Sequence, residues 1–163
     1  MSQINDVLST QQLTSLVADL TRQLEHFFNA LKTESEALKK NDSEKLILTS
    51  KTKQAQSEEI ATLTKQLESF LKANNLTLAN LFELNVSTTP PKALQQAIQK
   101  LVAISDQCQD LNQANGMTIK MLSNINKYTL NLISGKPQAN VQLYGSSGVT
   151  TPSSNTKKSL GEA

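Results

Sequence analysis

Leu13, Val17, Leu20, Leu24, Phe27, Leu31 and Leu38 recur at alternating steps of four and three, with only Glu34 interrupting. That spacing places apolar side chains on one stripe of a helix, and it is incompatible with a strand, whose faces recur every second residue. A capping box at Ser9 and Gln12 opens the pattern, so a helix is expected from about Thr10 to Lys40. Leu16 and Phe28 widen the stripe enough to meet two neighbours. With 37% apolar residues, 4% aromatics and no Trp, the core has to come from such stripes of Leu, Ile, Val and Ala, which favours packed helices over a sheet. A length of 163 residues suits one domain with one core.

Asn41, Asp42 and Ser43 break the first pattern, and Glu44 stands three residues after Asn41, so a second helix can start at once and close a tight hairpin. Leu46 and Ile47 open its stripe and Ile60, Leu63, Leu67, Phe70 and Leu71 close it; the polar middle, Lys51 to Ser57, predicts thin burial or an open groove. Asn74 and Asn75 end this helix. Leu76, Leu78, Leu81, Phe82 and Leu84 then suit a short capping helix or a buried loop. Ser87 to Thr89, followed by Pro90 and Pro91, supply a cap and first-turn prolines for a third long helix. Its seam reads Leu94, Ile98, Leu101, Ile104, Cys108, Leu111, Asn115, Ile119, Leu122, Ile125, Thr129 and Ile133, until Gly135 and Pro137 stop it. A helix from Pro91 to Ser134 measures roughly 65 Å against about 45 Å for the first, so it overhangs its partners or bends at Asn115 and Gly116. The expected fold is all-α: an elongated antiparallel bundle or coiled coil of three long helices with a short connecting helix over 1–135. The Gly, Ser, Thr and Pro-rich residues 136–163 are expected to form a flexible, disordered tail.

Charge narrows the function classes. Residues 1–135 carry 13 basic and 13 acidic residues, and the net charge of +2 comes entirely from Lys136, Lys157 and Lys158 against Glu162. No basic face of the kind that neutralises phosphates is visible, so neither nucleic acid nor a lipid surface is an expected partner. The lone Cys108 permits no internal disulfide, and no apolar run reaches the ~20 residues of a span or forms a signal segment, so a cytoplasmic location is expected.

Catalytic chemistry finds no address. His26 is the single histidine and lies off the apolar seam; the residue three before it is Gln23, so the Glu-x-x-His signature of metal-binding bundles is missing. Cys108 lies on the stripe as a small hydrophobe. Four of the five glycines, Gly135, Gly145, Gly148 and Gly161, stand at or beyond the last helix end, and no phosphate-cradling loop exists. An enzyme, a cofactor, a metal and a small-molecule substrate are therefore not expected.

Recognition surfaces remain. Asn112, Gln113, Ala114, Asn115 and Gly116 interrupt a well-patterned helix, where Gly costs about 1 kcal/mol relative to Ala and a buried Asn needs a partner. They form either a kink or register-setting polar layer, or part of a partner groove. Beyond them Met117, Met121, Leu122, Ile125, Leu130 and Leu132 cover more than one helix face, and Met-rich surface adapts to varied partners. In the tail, Val141 to Val149 contains Leu143, Tyr144, Gly145 and Gly148; this is either an incidental cluster or a short linear motif.

Two long helices followed by a third, the Asn112, Asn115, Gly116 stretch, and a tail reading Tyr144, Gly145, then Gly148 together resemble the FlgN family of flagellar type III export chaperones. The resemblance implies a non-enzymatic cytosolic chaperone for hook-filament junction proteins. It would bind a C-terminal amphipathic helical segment of each and deliver it to the export gate, with only peripheral, indirect association with the membrane. Together with the length of the third helix it points to cargo contacts at Leu111, Asn112, Asn115, Gly116, Met117, Met121, Leu122 and Ile125, in a groove formed with a neighbouring helix. It also assigns export-gate contacts to Tyr144, Gly145 and Gly148. The sequence departs from the family in its sparse basic residues after Lys53, where only Lys65 and Lys72 follow in the second helix, and in a Ser- and Thr-rich end after Val149. The alternative is a structural coiled-coil subunit that self-associates through the Leu13 to Leu38 and Leu94 to Leu122 seams.

Overall fold

The computed structural model describes residues 7–84 and 91–135. It contains α1 (Val7–Lys40), α2 (Ser43–Ala73), α3 (Leu78–Leu84) and α4 (Lys92–Ile133), with no strand among the described residues. The fold is the expected all-α one, three long helices and a short connecting one. α1 begins at Val7, ahead of the expected Ser9 cap, because neither Gly nor Pro stands there to stop it.

The turns explain how the chain reverses. Asn41 adopts a left-handed φ of 52°, its N–H donating to Leu38 O at 3.3 Å while the Asp42 N–H donates to Ala37 O at 3.0 Å. These are the two bonds of a Schellman motif. With Asn41 committed to that turn, the N-cap of α2 is Asp42 and not Asn41: its carboxylate accepts from Lys45 N at 3.0 Å. The device recurs at Asn75, φ 57°, with the Leu76 N–H on Leu71 O at 2.8 Å. α3 then starts on a reciprocal cap, Thr77 Oγ1 accepting from Asn80 N at 3.2 Å and Asn80 Oδ1 accepting from Thr77 N at 3.0 Å. Gly135 ends α4 at φ 63°. The expected cap at Ser87 to Thr89 and the whole tail, including Tyr144, Gly145 and Gly148, lie outside the described residues.

The chain divides into two compact units, Met1–Thr118 and Ile119–Ala163. In the first, Leu13, Val17 and Leu20 of α1 meet Leu67 and Leu71 of α2, Leu81 of α3, and Leu94, Ile98 and Leu101 of α4. Burying a side chain of this kind contributes about 1.5–3 kcal/mol. The two-residue turn makes α2 antiparallel to α1. Cys108 Sγ meets Leu24 O at 3.3 Å and Asn115 Nδ2 meets Leu31 O at 2.9 Å, both pairs 84 residues apart, so this part of α4 runs in the same direction as α1.

α2 corrects one expectation. Ile47 is exposed, and Thr49 is buried in its place. Stepping back from Leu67 by fours and threes reaches Leu63, Ile60, Gln56, Lys53, Thr49 and Leu46, so the helical phase misses Ile47 and carries the polar middle on the inward face. α4 is unbroken through Asn115 and Gly116. In the second unit its described part is Ile119–Gly135, where Ile119, Ile125 and Ile133 of the seam are exposed. No helix among the described residues is long and apolar enough to cross a membrane.

Candidate functional site

The single break in the α1 seam and the single amide in the first unit's α4 seam face each other. Glu34 is 5% exposed and Asn115 3% exposed. The Asn115 amide donates from Nδ2 to Glu34 Oε2 at 2.9 Å and to Leu31 O at 2.9 Å. From α2, Lys53 Nζ donates to Glu34 Oε1 at 3.1 Å and Oε2 at 3.0 Å, and to Asn112 Oδ1 at 3.2 Å. The ammonium also lies 6.0 Å from the Phe27 ring centroid, at the outer limit of a cation–π contact. One carboxylate thus binds three helices together. Every buried partner in the layer is satisfied, as low-dielectric surroundings demand.

One turn towards the core end, Ser57, Ala61 and Ser105 are too small to close α2 against α4. A groove of about 280 Å³ remains, floored by Leu24 and Phe27 and edged by Cys108, Gln109 and Asn112. Of the polar middle of α2, Lys51 to Ser57, only Ser57 lines this groove, and Lys53 is engaged by Glu34 instead. Burial pushes the Cys108 thiol above its ordinary 9.0. The folded chain therefore holds this proton more tightly than the unfolded one. Its contribution to stability is complete below 9.0 and is lost as pH rises through 9.0 towards the folded value. The expected result is a fall in urea midpoint between pH 8 and pH 10 that is smaller in Cys108→Ala, measured as the difference between the two proteins.

The other residues marked by the sequence fall into distinct settings. Leu111 is half-buried beside Phe28 and Ala114 in a shallow groove between α1 and α4. Asn112 is exposed apart from its Lys53 bond. A Cβ added at Gly116 would meet nothing within 4 Å, so nothing among the described residues calls for glycine there. Met117 is 63% exposed. In the second unit Met121 and Ile125 are exposed and Leu122 is half-buried, joined by exposed Leu130, Leu132 and Ile133. His26 is exposed. No group of His, Cys, Asp or Glu among the described residues could hold a metal ion.

Neither Lys53 nor the pairing of Glu34 with Asn115 was evident from the sequence. The signal existed, because Lys53 falls in phase with Leu67, and the polar break at Glu34 in one seam can align with the one at Asn115 in the other.

Neither the curated proteins nor the solved structures gave a match to this chain. The family model described as FlgN protein matches residues 1–152. That match spans all four helices together with the Asn112 to Gly116 stretch and Tyr144, Gly145 and Gly148, and on it the chain belongs to the FlgN family of flagellar export chaperones.

Proposed function

We propose that this protein is a cytosolic, non-enzymatic chaperone that binds the C-terminal helical segments of hook-filament junction proteins and delivers them to the type III export gate. The observation that carries the reading, beside family membership, is the apolar surface of α4 in the second unit, where Ile119, Met121, Ile125, Leu130, Leu132 and Ile133 are exposed. Large apolar side chains exposed side by side in this way mark an interaction site. The seam from Leu13 to Leu38 is largely consumed inside the bundle, which disfavours a self-associating rod. The cargo contacts are Leu111, Asn112, Gly116, Met117, Met121, Leu122 and Ile125, with Asn115 holding α4 in place from beneath. Gly116 supports this: its helical cost of about 1 kcal/mol has no return among the described residues, whereas a glycine there would let a partner backbone approach closely.

Tyr144 anchors the gate. Its ring offers apolar area at low entropy cost, and Gly145 and Gly148 let the chain turn around it, so docking is weak and reversible. The test is a pull-down from a flagellated host with two variants. Met121→Asp with Leu122→Asp should abolish junction-protein capture while helical circular dichroism is retained. Tyr144→Ala should keep capture and thermal melting unchanged and lose binding to the cytoplasmic domain of the export gate. Capture that survives the double substitution places the cargo elsewhere.

A further inference from the structure

In the second unit, Met121, Ile125, Tyr128 and Leu132 follow one another at steps of four, three and four, and all four are exposed. They make one apolar stripe. A polar row, Lys120, Asn124, Lys127 and Asn131, keeps the same steps along one edge of it. The two lysines, seven residues apart, stand about two turns from each other on nearly the same bearing. Neither takes part in an ion pair among the described residues. From Leu111 to Gly135 there is no Asp or Glu at all. The surface therefore has an apolar stripe, one cationic edge and, among the described residues of this unit, no carboxylate to answer it.

We propose that the occupant of this stripe is an amphipathic helix of another protein whose apolar face is flanked on one side by carboxylates spaced to meet Lys120 and Lys127. A second copy of this chain fits poorly. Its own stripe would bring two more lysines and no acid to answer the first pair. The long lysine stems can lie along the apolar stripe while their ammonium groups reach an acid at the rim. Rim pairs of this kind select the partner and speed its approach more than they tighten the complex.

The inference rests on the cargo reading above and specifies the chemistry of that cargo. It is tested on the full chain with two synthetic helical peptides sharing one apolar stripe, one flanked by Glu and one by Lys. At low ionic strength the Glu peptide should bind about tenfold tighter, and the gap should narrow as salt rises. Lys120→Glu with Lys127→Glu should reverse the order. Equal affinities, no binding of either peptide, or an unreversed order would overturn the inference. The two readings fail separately. If Met121→Asp abolishes junction-protein capture while the peptides bind equally, the charge preference alone is wrong. If the peptides show the preference and its reversal while Met121→Asp leaves capture intact, the preference stands and the cargo site is elsewhere.

Discussion

Replacing Lys53 by Met is expected to lower the unfolding free energy by about 3 kcal/mol, a fall of roughly 10 °C in Tm for a unit of this size. Lys53 supplies the only cation in the layer that holds α1, α2 and α4 together. Without it the Glu34 carboxylate, whose side chain is 6% exposed, keeps one neutral amide from Asn115 and no counter-charge. The expected loss lies at the lower end of the range for buried pairs because the Lys53 side chain is 20% exposed, so water can enter the vacated place. Asn112→Ala, which removes an exposed acceptor of the same lysine, should change stability by less than about 0.5 kcal/mol. The informative companion is Glu34→Leu with Lys53→Met and Asn115→Leu. Replacing the whole layer by apolar groups should restore stability to within about 1 kcal/mol of the parent, because no charge is then left buried without a partner. Urea denaturation of the three proteins decides the matter. A triple variant as unstable as Lys53→Met would show that the layer contributes through a geometry that apolar groups cannot replace.

Leu81→Ala is expected to cost about 3–4 kcal/mol and to release α3 from the bundle. α3 has seven residues, far below the ~12 at which an isolated helix becomes marginal in water. Its order depends on the Thr77 and Asn80 cap and on Leu81, which is fully buried against the cluster of Leu13, Leu71 and Leu94. Truncating that side chain opens a cavity where all four helices meet. Thermal melting should report the loss, and amide exchange should show protection falling first over Leu78–Leu84. Leu130→Ala, at an exposed position of α4, should by contrast stay within about 0.5 kcal/mol of the parent.

The helices were legible in the sequence because the α1 and α4 seams repeat at helical spacing over many turns, and Asn75 and Gly135 stop α2 and α4 where expected. Less legible was whatever depended on phase or on pairing between distant segments. Ile47 looked like part of the α2 stripe because it is apolar, yet Thr49 holds the inward position, and only counting back from Leu67 distinguishes them. Asn115 carried two readings from the sequence, a polar layer or a partner groove. Its bonds to Glu34 and Leu31 depend on a residue 81 positions away, which no local pattern contains. Exposure of Met121 and Ile125 was legible only through the length of the third helix, since periodicity marks a face as apolar without saying whether a neighbour covers it.

The two-residue turn at Asn41 and Asp42 also bears on the order of events as the chain leaves the ribosome. Helices joined so closely meet through local contacts, and local topologies form fast. Glu34 and Lys53 are 19 residues apart, whereas Glu34 and Asn115 are 81 apart. The hairpin can therefore close with its ion pair in place before α4 has been synthesised, since emergence runs from the N-terminus. During that interval Leu13, Val17, Leu67 and Leu71 lack their α4 neighbours. A nascent chain stalled after Ala73 should consequently be helical yet prone to aggregate, until the segment from Leu94 to Leu101 arrives to cover the hairpin.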